Sequence, residues 1–337
     1  MMDSKGSEVI HLGHGAGGLL TNQLIKTIVL RYFRNKTLKR LEDSAELDVK
    51  KNNIAFTTDA YVIDPIFFPG GDIGSLAIYG TVNDLAMKGA VPKFISLSLI
   101  IEEGFSIEEL KKILESASRA ARRAGVSVVC GDTKVVERGK ADKIFITTSG
   151  IGIIKIHLGK EKIQIGDQII VSGTIGDHGI AVMNERLQLG LKSTIRSDAA
   201  PLNVITTKLF NHTSAIHCMR DPTRGGVASI LNEIVAQTTK GVMIYERDLP
   251  VRREVRGACE ILGLDPLYVA NEGKFVAFVH KKSASIILKK IRRQPLGRNA
   301  RVIGEVIREP HGVWLKTKIG GIHPLLQIEA ESLPRIC

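Results

Sequence analysis

No stretch of this 337-residue chain approaches the ~18 consecutive apolar residues that a membrane-spanning helix needs. No charged-then-apolar leader stands at its start, and the chain is expected to be cytoplasmic. Cysteine is scarce, with Cys130, Cys218, Cys259 and Cys337 scattered and no C-x-x-C pair among them. That spacing excludes a cysteine zinc site and a secreted disulfide framework, and it fits reduced thiols. Aromatic residues make up only 5%, and no RNP, zinc-finger or arginine-rich arm accompanies the net charge of +12. The basic residues fall in helix-like tracts such as 119–123, 252–256 and 289–293, interleaved with apolar positions. They read as solvated helix faces with an attraction for an anionic substrate or an acidic partner, not as a nucleic-acid surface. Both familiar nucleotide fingerprints are missing as well: there is no Gly-Lys-Ser/Thr P-loop and no Rossmann βαβ unit.

What is present suits two α/β domains of ordinary size, with 44% hydrophobic residues to build their cores. The expected division is a glycine-rich segment and helix over 1–35, an N-terminal domain over 36–157, a C-terminal domain over 158–325 and a tail over 326–337. Residues 74–88 read as a buried helix rich in small side chains. Ser106 caps an amphipathic helix with Ile107, Leu110, Leu114, Ala117 and Ala121 along one face, and the helix ends at Gly125. Strands are predicted at 54–58, and at 126–130 and 144–154 around a Gly131-Asp132 turn. The second half alternates strands at 169–172, 242–245, 275–279 and 301–306 with helices at 180–189, 203–216, 227–237, 251–262 and 284–292. Cys130 and Cys259 read as small buried hydrophobes.

The chemistry-bearing residues cluster at turns. The loop 13–18, with Gly15, Gly17 and Gly18, lets backbone approach an anion ahead of a helix N-terminus. Asp43, Asp59, Asp84, Asp132 and Asp221 recur at the ends of apolar elements, where oxygen ligands suit Mg²⁺. Any one of them alone is more often a turn former or a cap. Asp84 stands out because its helix is otherwise apolar. His14, His178 and His217 read as structural. Cys337 is the last residue, on a segment that few side chains can bury, so it is expected to be mobile and reachable.

Residues 57–59 (TTD), 81–92 (TVNDLAMKGAVP), 131–133 (GDT) and 221–227 (DPTRGGV) resemble the signature turns of the PurM-like ATP-binding superfamily. The early GHGAGG, 61–74 (YVIDPIFFPGGDIG), 271–275 (NEGKF) and the terminal PRIC are similar to the HypE family of hydrogenase maturation factors, over roughly residues 8 to 337. One departure is Glu42-Asp43-Ser44, where the superfamily often has Asp-Asp-Ala, so Asp43 is the weakest metal candidate. The resemblance implies two mixed α/β domains, a homodimer formed through the N-terminal halves, an ATP site near the subunit interface and a mobile tail. It implies that a HypF-like carbamoyltransferase loads a carbamoyl group onto Cys337. ATP and Mg²⁺ then drive its dehydration to a thiocyanate, and cyanide passes to iron on a HypC–HypD complex.

Within that picture Cys337 carries the substrate, Glu272 is the base, and Lys134 neutralises phosphate or tunes Glu272. Asp132, Thr133 and Arg224 join Gly15, Gly17, Gly18, Asp59 and Asp84 around ATP, and Arg335 anchors the tail. Two rival readings remain: a superfamily enzyme acting on a small molecule, for which Cys337 is dispensable, and a non-catalytic basic scaffold for RNA or an acidic partner, whose binding weakens steeply with salt.

Overall fold

The computed structural model describes residues 19–24, 26–27, 38–42, 45–49, 52–190, 194–212, 214–236, 238–327, 333 and 335–337. In chain order the first half runs β1 (Ala45–Val49), β2 (Asn52–Tyr61), the short hairpin β3 (Phe67–Phe68) and β4 (Gly71–Asp72), the helix Ile73–Met87, and β5 (Ala90–Glu102). The helix Ile107–Ala124, β6 (Ser127–Val136) and β7 (Ile144–Ile154) complete it. Alternation in β2 sets the two faces of its sheet. Ala55, Thr57, Asp59 and Tyr61 point one way towards the helices, and Phe56, Thr58 and Ala60 point to the open side. The strand order is β1-β2-β7-β5-β6, antiparallel throughout except for β5 and β6, which the helix Ile107–Ala124 connects as a crossover.

Ser106 and Gly125 bound that helix as expected, with Ser106 accepting from the Glu109 amide and Gly125 in the left-handed region at φ 69°. The expected Gly131-Asp132 turn is absent. Both residues lie inside β6, paired with Leu97 and Ser98 of β5, a strand that local sequence pattern does not reveal. A side chain on Gly131 would stand 2.0 Å from the Leu97 carbonyl oxygen, so this glycine serves a close approach of two strands instead of a reversal. Cys130, on the same edge strand, is exposed and not a core residue, whereas Cys259 is buried.

The open face of this sheet is apolar. Phe56, Ile151 and Phe94 pair in register across β2, β7 and β5, and all three are exposed. Val128, Val129 and Val135 extend the exposed apolar surface along β6.

The second half adds β8 (Gln168–Val171), β9 (Ile216–Arg220), β10 (Gly241–Tyr245), β11 (Val276–Val279), β12 (Arg301–Ile307), β13 (Gly312–Lys316) and β14 (Ile322–Pro324). They form one sheet in the order β14-β13-β10-β12-β8-β11-β9. Its central strands are apolar on both faces because helices cover both. Ile169, Val171, Val276 and Phe278 pack with Val227 and Ile230, while Ile170, Ala277 and Val279 pack with Ile287 and Ile291. The predicted helix 203–216 shrinks to Asn203–Thr206 and a 3₁₀ segment Thr207–His212. Ile216 then starts β9, since its alternating residues fill the two cores when paired with β11. Ala86 and Met87 of the first half join the second of these cores, so the halves share packed apolar side chains.

Candidate active site

The helix Ile73–Met87 is buried at every position except Asp84. Asp72 caps its start by accepting from the Gly74 and Ser75 amides. Thr81 and Asp84 lie three residues apart on one helical face and meet the inward face of β2. Thr57 donates its hydroxyl to Asp84 at 2.7 Å, and Thr81 donates to Asp59 at 2.7 Å. Burial raises the Asp59 carboxyl above its usual range, opposed by Thr81, Arg224 and Tyr61. The Tyr61 phenol is likewise pushed well up, by burial and then by Asp59, and stays a neutral donor.

The second half closes over this carboxylate pair. Asn83, nearly inaccessible beside Asp84, donates to the carbonyls of Ala200 (3.1 Å) and Glu272 (3.0 Å) and accepts from the Leu202 amide (2.8 Å). One side chain of the first half therefore holds two segments of the second. Asp198 accepts from the Glu272 amide at 3.0 Å and pairs with Lys274 at 3.0 Å. Burial alone would raise the Asp198 carboxyl, but Lys274 and His178 beside it hold it below its ordinary value. A side chain on Gly273 would stand 1.8 Å from the Asp198 carbonyl oxygen, so the turn can press against Asp198 only with glycine there.

The outcome is a buried Glu272 side chain whose Oε1 finds no hydrogen-bond partner among the described residues. Burial drives its pKa well above the carboxylate range, Asp221, Asp198 and Asp59 push it further, and Arg224 opposes them. Asp59, Asp221, Glu272 and Arg224, four of the predicted site residues, thus act on one another, with Asp84 one helical turn from Thr81.

The chain end reaches the same region. The sequence leads one to expect an exposed, mobile tail; the structure instead docks Arg335 to Cys337 alongside residues 62–64, where β2 ends. The Val62 amide donates to the Cys337 carbonyl at 3.2 Å, and the Asp64 amide donates to that of Arg335 at 3.2 Å. Arg335 donates from Nε to the Val62 carbonyl and pairs with Asp142, which supports its reading as an anchor. Arg186 donates to the Arg335 carbonyl at 2.6 Å.

His178 Nε2 donates to the Ile336 carbonyl at 2.8 Å, and Nδ1 then accepts from the Ser197 hydroxyl at 2.8 Å, the tautomer that a carbonyl partner requires. Burial lowers the pKa of this ring and keeps it neutral, against the pull of Asp198. Ile336 is 1% exposed and Leu333 4%, both in one cluster with Ile63, Ile180 and Val269, and Cys337 is half-buried. Apolar side chains give the tail a seat that a short polar terminus would lack.

Other predicted residues stand apart. Asp132, Thr133 and Lys134 are exposed on β6, and Lys134 pairs with Asp132 at 3.0 Å, so it does not meet Glu272 within one chain. Gly15, Gly17, Gly18, Asp43 and His14 lie outside the described residues. His217 is structural, with Nδ1 on Asp167 at 2.6 Å.

Among the described residues no three His, Cys, Asp or Glu side chains converge closely enough to cage a metal ion. The donors nevertheless fit Mg²⁺, which takes one or two carboxylates and completes its shell with phosphate and water oxygens. Asp59, Asp84 and Asp221 supply hard oxygens, and the unpartnered Glu272 oxygen shows that the region holds more buried acceptor capacity than its own donors fill.

Sequence reasoning missed Asn83, Asp198, Lys274 and the tail-binding role of His178. Asn83 carried the same signal as Asp84, a polar group in an apolar helix. The others had no local signal, since their partners lie far away in sequence.

Comparison with known proteins bears on this geometry. Residues 41–154 match the AIR synthase related protein N-terminal domain, and residues 164–315 match its C-terminal domain. The chain is 47% identical over 332 residues to the carbamoyl dehydratase HypE of Bradyrhizobium diazoefficiens, covering 97% of this chain and 96% of that protein. It is 45% identical to the Escherichia coli carbamoyl dehydratase HypE over 335 residues, covering 97% and 99%. Among solved structures it resembles HypE in complex with ATP at 43% identity and a TM-score of 0.82, covering 98% of this chain and all of that one. It resembles a HypE–HypF complex chain at 45% identity and a TM-score of 0.87, covering 90% and 99%.

Proposed function

From the chain's membership of the AIR synthase related family, and within it of the HypE carbamoyl dehydratases, we propose that it dehydrates a carbamoyl group carried on its own Cys337 at the expense of ATP. The observation that carries this reading is the docked tail. Its last carbonyl is bonded to Val62, three residues beyond Asp59, and Glu272 and Arg224 act on that same Asp59.

The chemistry follows in two balanced steps. The carboxamide oxygen of the S-carbamoyl group attacks the γ-phosphorus, the bond to the β-phosphate oxygen breaks, and ADP leaves. The nitrogen then loses its two protons, one to Glu272 and one to the departing phosphate, as the C–O bond breaks, giving the S–C≡N group and phosphate, so oxygen leaves as phosphate and not as hydroxide. Glu272, once it has given up the proton that burial makes it hold, takes one from nitrogen: the ionised carboxylate, penalised by burial and by neighbouring carboxylates, is a strong base. Arg224 offers a fork of N–H donors to phosphate oxygens, and Tyr61 and Thr81 hold Asp59 in place. Bound Mg²⁺, on oxygens drawn from Asp59, Asp84 and Asp221, would neutralise phosphate charge. His178, Arg186 and Arg335 fix the tail backbone so that the reacting carbon is held and not searched for.

The exposed row Phe56, Ile151 and Phe94 supports a homodimer through the N-terminal sheet. In that assembly Asp132, Thr133 and Lys134 on the edge of β6 belong to the site of the partner copy. A HypF-like carbamoyltransferase as donor, a HypC–HypD complex as acceptor of cyanide and a cytoplasmic setting complete the reading.

The test is mass spectrometry of the protein carbamoylated at its tail, before and after Mg-ATP. Loss of one water from the peptide bearing Cys337, matched by ADP release, is the expected result. ATP turnover with an unchanged tail would transfer the function to a small-molecule substrate.

A further inference from the structure

The turn that carries Glu272 also contributes to a separate concavity. Lys274 and its partner Asp198 lie in the wall of a 460 Å³ cavity that none of Asp59, Asp84, Asp221 or Glu272 lines. A second cavity of 450 Å³ adjoins it, sharing Gly70, Arg123, Arg196 and Ala199, so both halves of the chain contribute to one continuous groove. Its volume lies in the range of small-molecule sites.

The charges around this groove do not cancel. Its carboxylates are Asp72, Asp177 and Asp198. Asp198 is matched by Lys274, Asp177 by Arg252 at 3.2 Å, and Asp72 caps its helix with Arg119 nearby. Arg123, Arg196 and Arg298 remain, and none of the three makes an ion pair or hydrogen bond among the described residues. A solvated arginine on a helix face is ordinary, and Arg123 alone would be one. Arg196 and Arg298, however, come from two other segments and converge on the same cavity, which Asn299 also lines.

We propose that this groove binds a phosphate-bearing small molecule of at least two negative charges, at a site distinct from the Asp59–Asp84–Asp221 carboxylates. Guanidinium groups match phosphate oxygens in pairs of parallel hydrogen bonds, and several of them converging in a concavity discriminate a di- or triphosphate from a single charge. An apolar ligand or a cation would leave the three arginines uncompensated. Because Lys274 is shared, occupancy reaches Asp198, which holds the Glu272 amide.

Isothermal titration without divalent metal, using inorganic pyrophosphate as the probe, tests this on the full chain. Wild type is expected to bind pyrophosphate. Arg196→Ala/Arg298→Ala is expected to bind it at least tenfold more weakly with an unchanged melting temperature. Arg224→Ala, on the carboxylate side, is expected to keep the component of binding that the alanine pair loses, whatever it loses at the active site itself. Arg196→Lys/Arg298→Lys keeps charge without the fork and should fall between, which guards against a fold defect in the alanine pair. ADP as a second probe, scored only by the part of its binding that Arg196→Ala/Arg298→Ala removes, separates sources: a removed part tighter than that of pyrophosphate identifies a nucleotide, and an equal or weaker one a free polyphosphate. No binding by wild type, undiminished binding by the alanine pair, or loss of that same component in Arg224→Ala would overturn the proposal.

Discussion

At Glu272 the physics of one side chain sets both a reactivity and a stability cost. Its proton is retained in the fold above the ordinary carboxylate value, 4.5 for this group. Stability is therefore fully present on the acid side and is lost as pH rises from that value towards the raised one, by about 1.4 kcal/mol for each pH unit crossed between the two. Glu272→Gln removes the titration, so its melting temperature should exceed that of wild type at pH 8, with the gap closing near pH 4. The same variant should lose roughly 10²- to 10⁴-fold in dehydration rate, the usual worth of a positioned base. His178 has the opposite sign. Its buried ring resists protonation, so the stability it contributes is intact above its unfolded value of 6.5 and lost as pH falls below it. Wild type should lose more thermal stability between pH 7.5 and 5.5 than His178→Gln does, and an equal loss would exclude the ring as the cause.

The helix Ile73–Met87 shows what an element does that its residues cannot do singly. Thr81 and Asp84 touch β2, while Asn83 touches the other half of the chain, because successive positions on a helix point in different directions. The single turn 81–84 thereby joins strand, helix and the Glu272 loop. Asn83→Ala would leave the Leu202 amide and two carbonyls without partners, at about 1 kcal/mol or more each, so a loss of roughly 3 kcal/mol is expected from chemical denaturation. Activity should fall with it, since the Glu272 backbone loses one of its two holds. A variant as stable as wild type would mean that the halves are joined by their apolar contacts alone.

For the molecule as a whole, the two faces of the N-terminal sheet have different fates. One is covered by its own helices, and the other exposes Phe56, Phe94 and Ile151 in a row. Phe94→Glu should convert the proposed homodimer into a monomer on size-exclusion chromatography with light scattering, leave the circular dichroism spectrum intact, and abolish dehydration if Lys134 serves the partner copy. A dimer that survives the substitution would place the contact elsewhere.

The amino-acid pattern alone determined much of this. Capping and amphipathic spacing marked the helix Ile107–Ala124, a charge in an otherwise apolar helix made Asp84 a candidate, turn-like signals made Asp59 and Asp221 candidates, and the terminal PRIC did the same for Cys337. These are local signals, and local propensities produce them. What failed was non-local. The segment 90–102 carries no clean alternation, because as β5 it lies between β7 and β6, and only that pairing explains why Gly131 is a close approach and not a turn. A free tail is what its own residues suggest, since nothing within it predicts that Ile336 and Leu333 find a slot beside Ile63, Ile180 and Val269. Asp198, Lys274 and Asn83 owe their roles to partners far along the chain, and contacts of that kind exist only after the two halves have packed together.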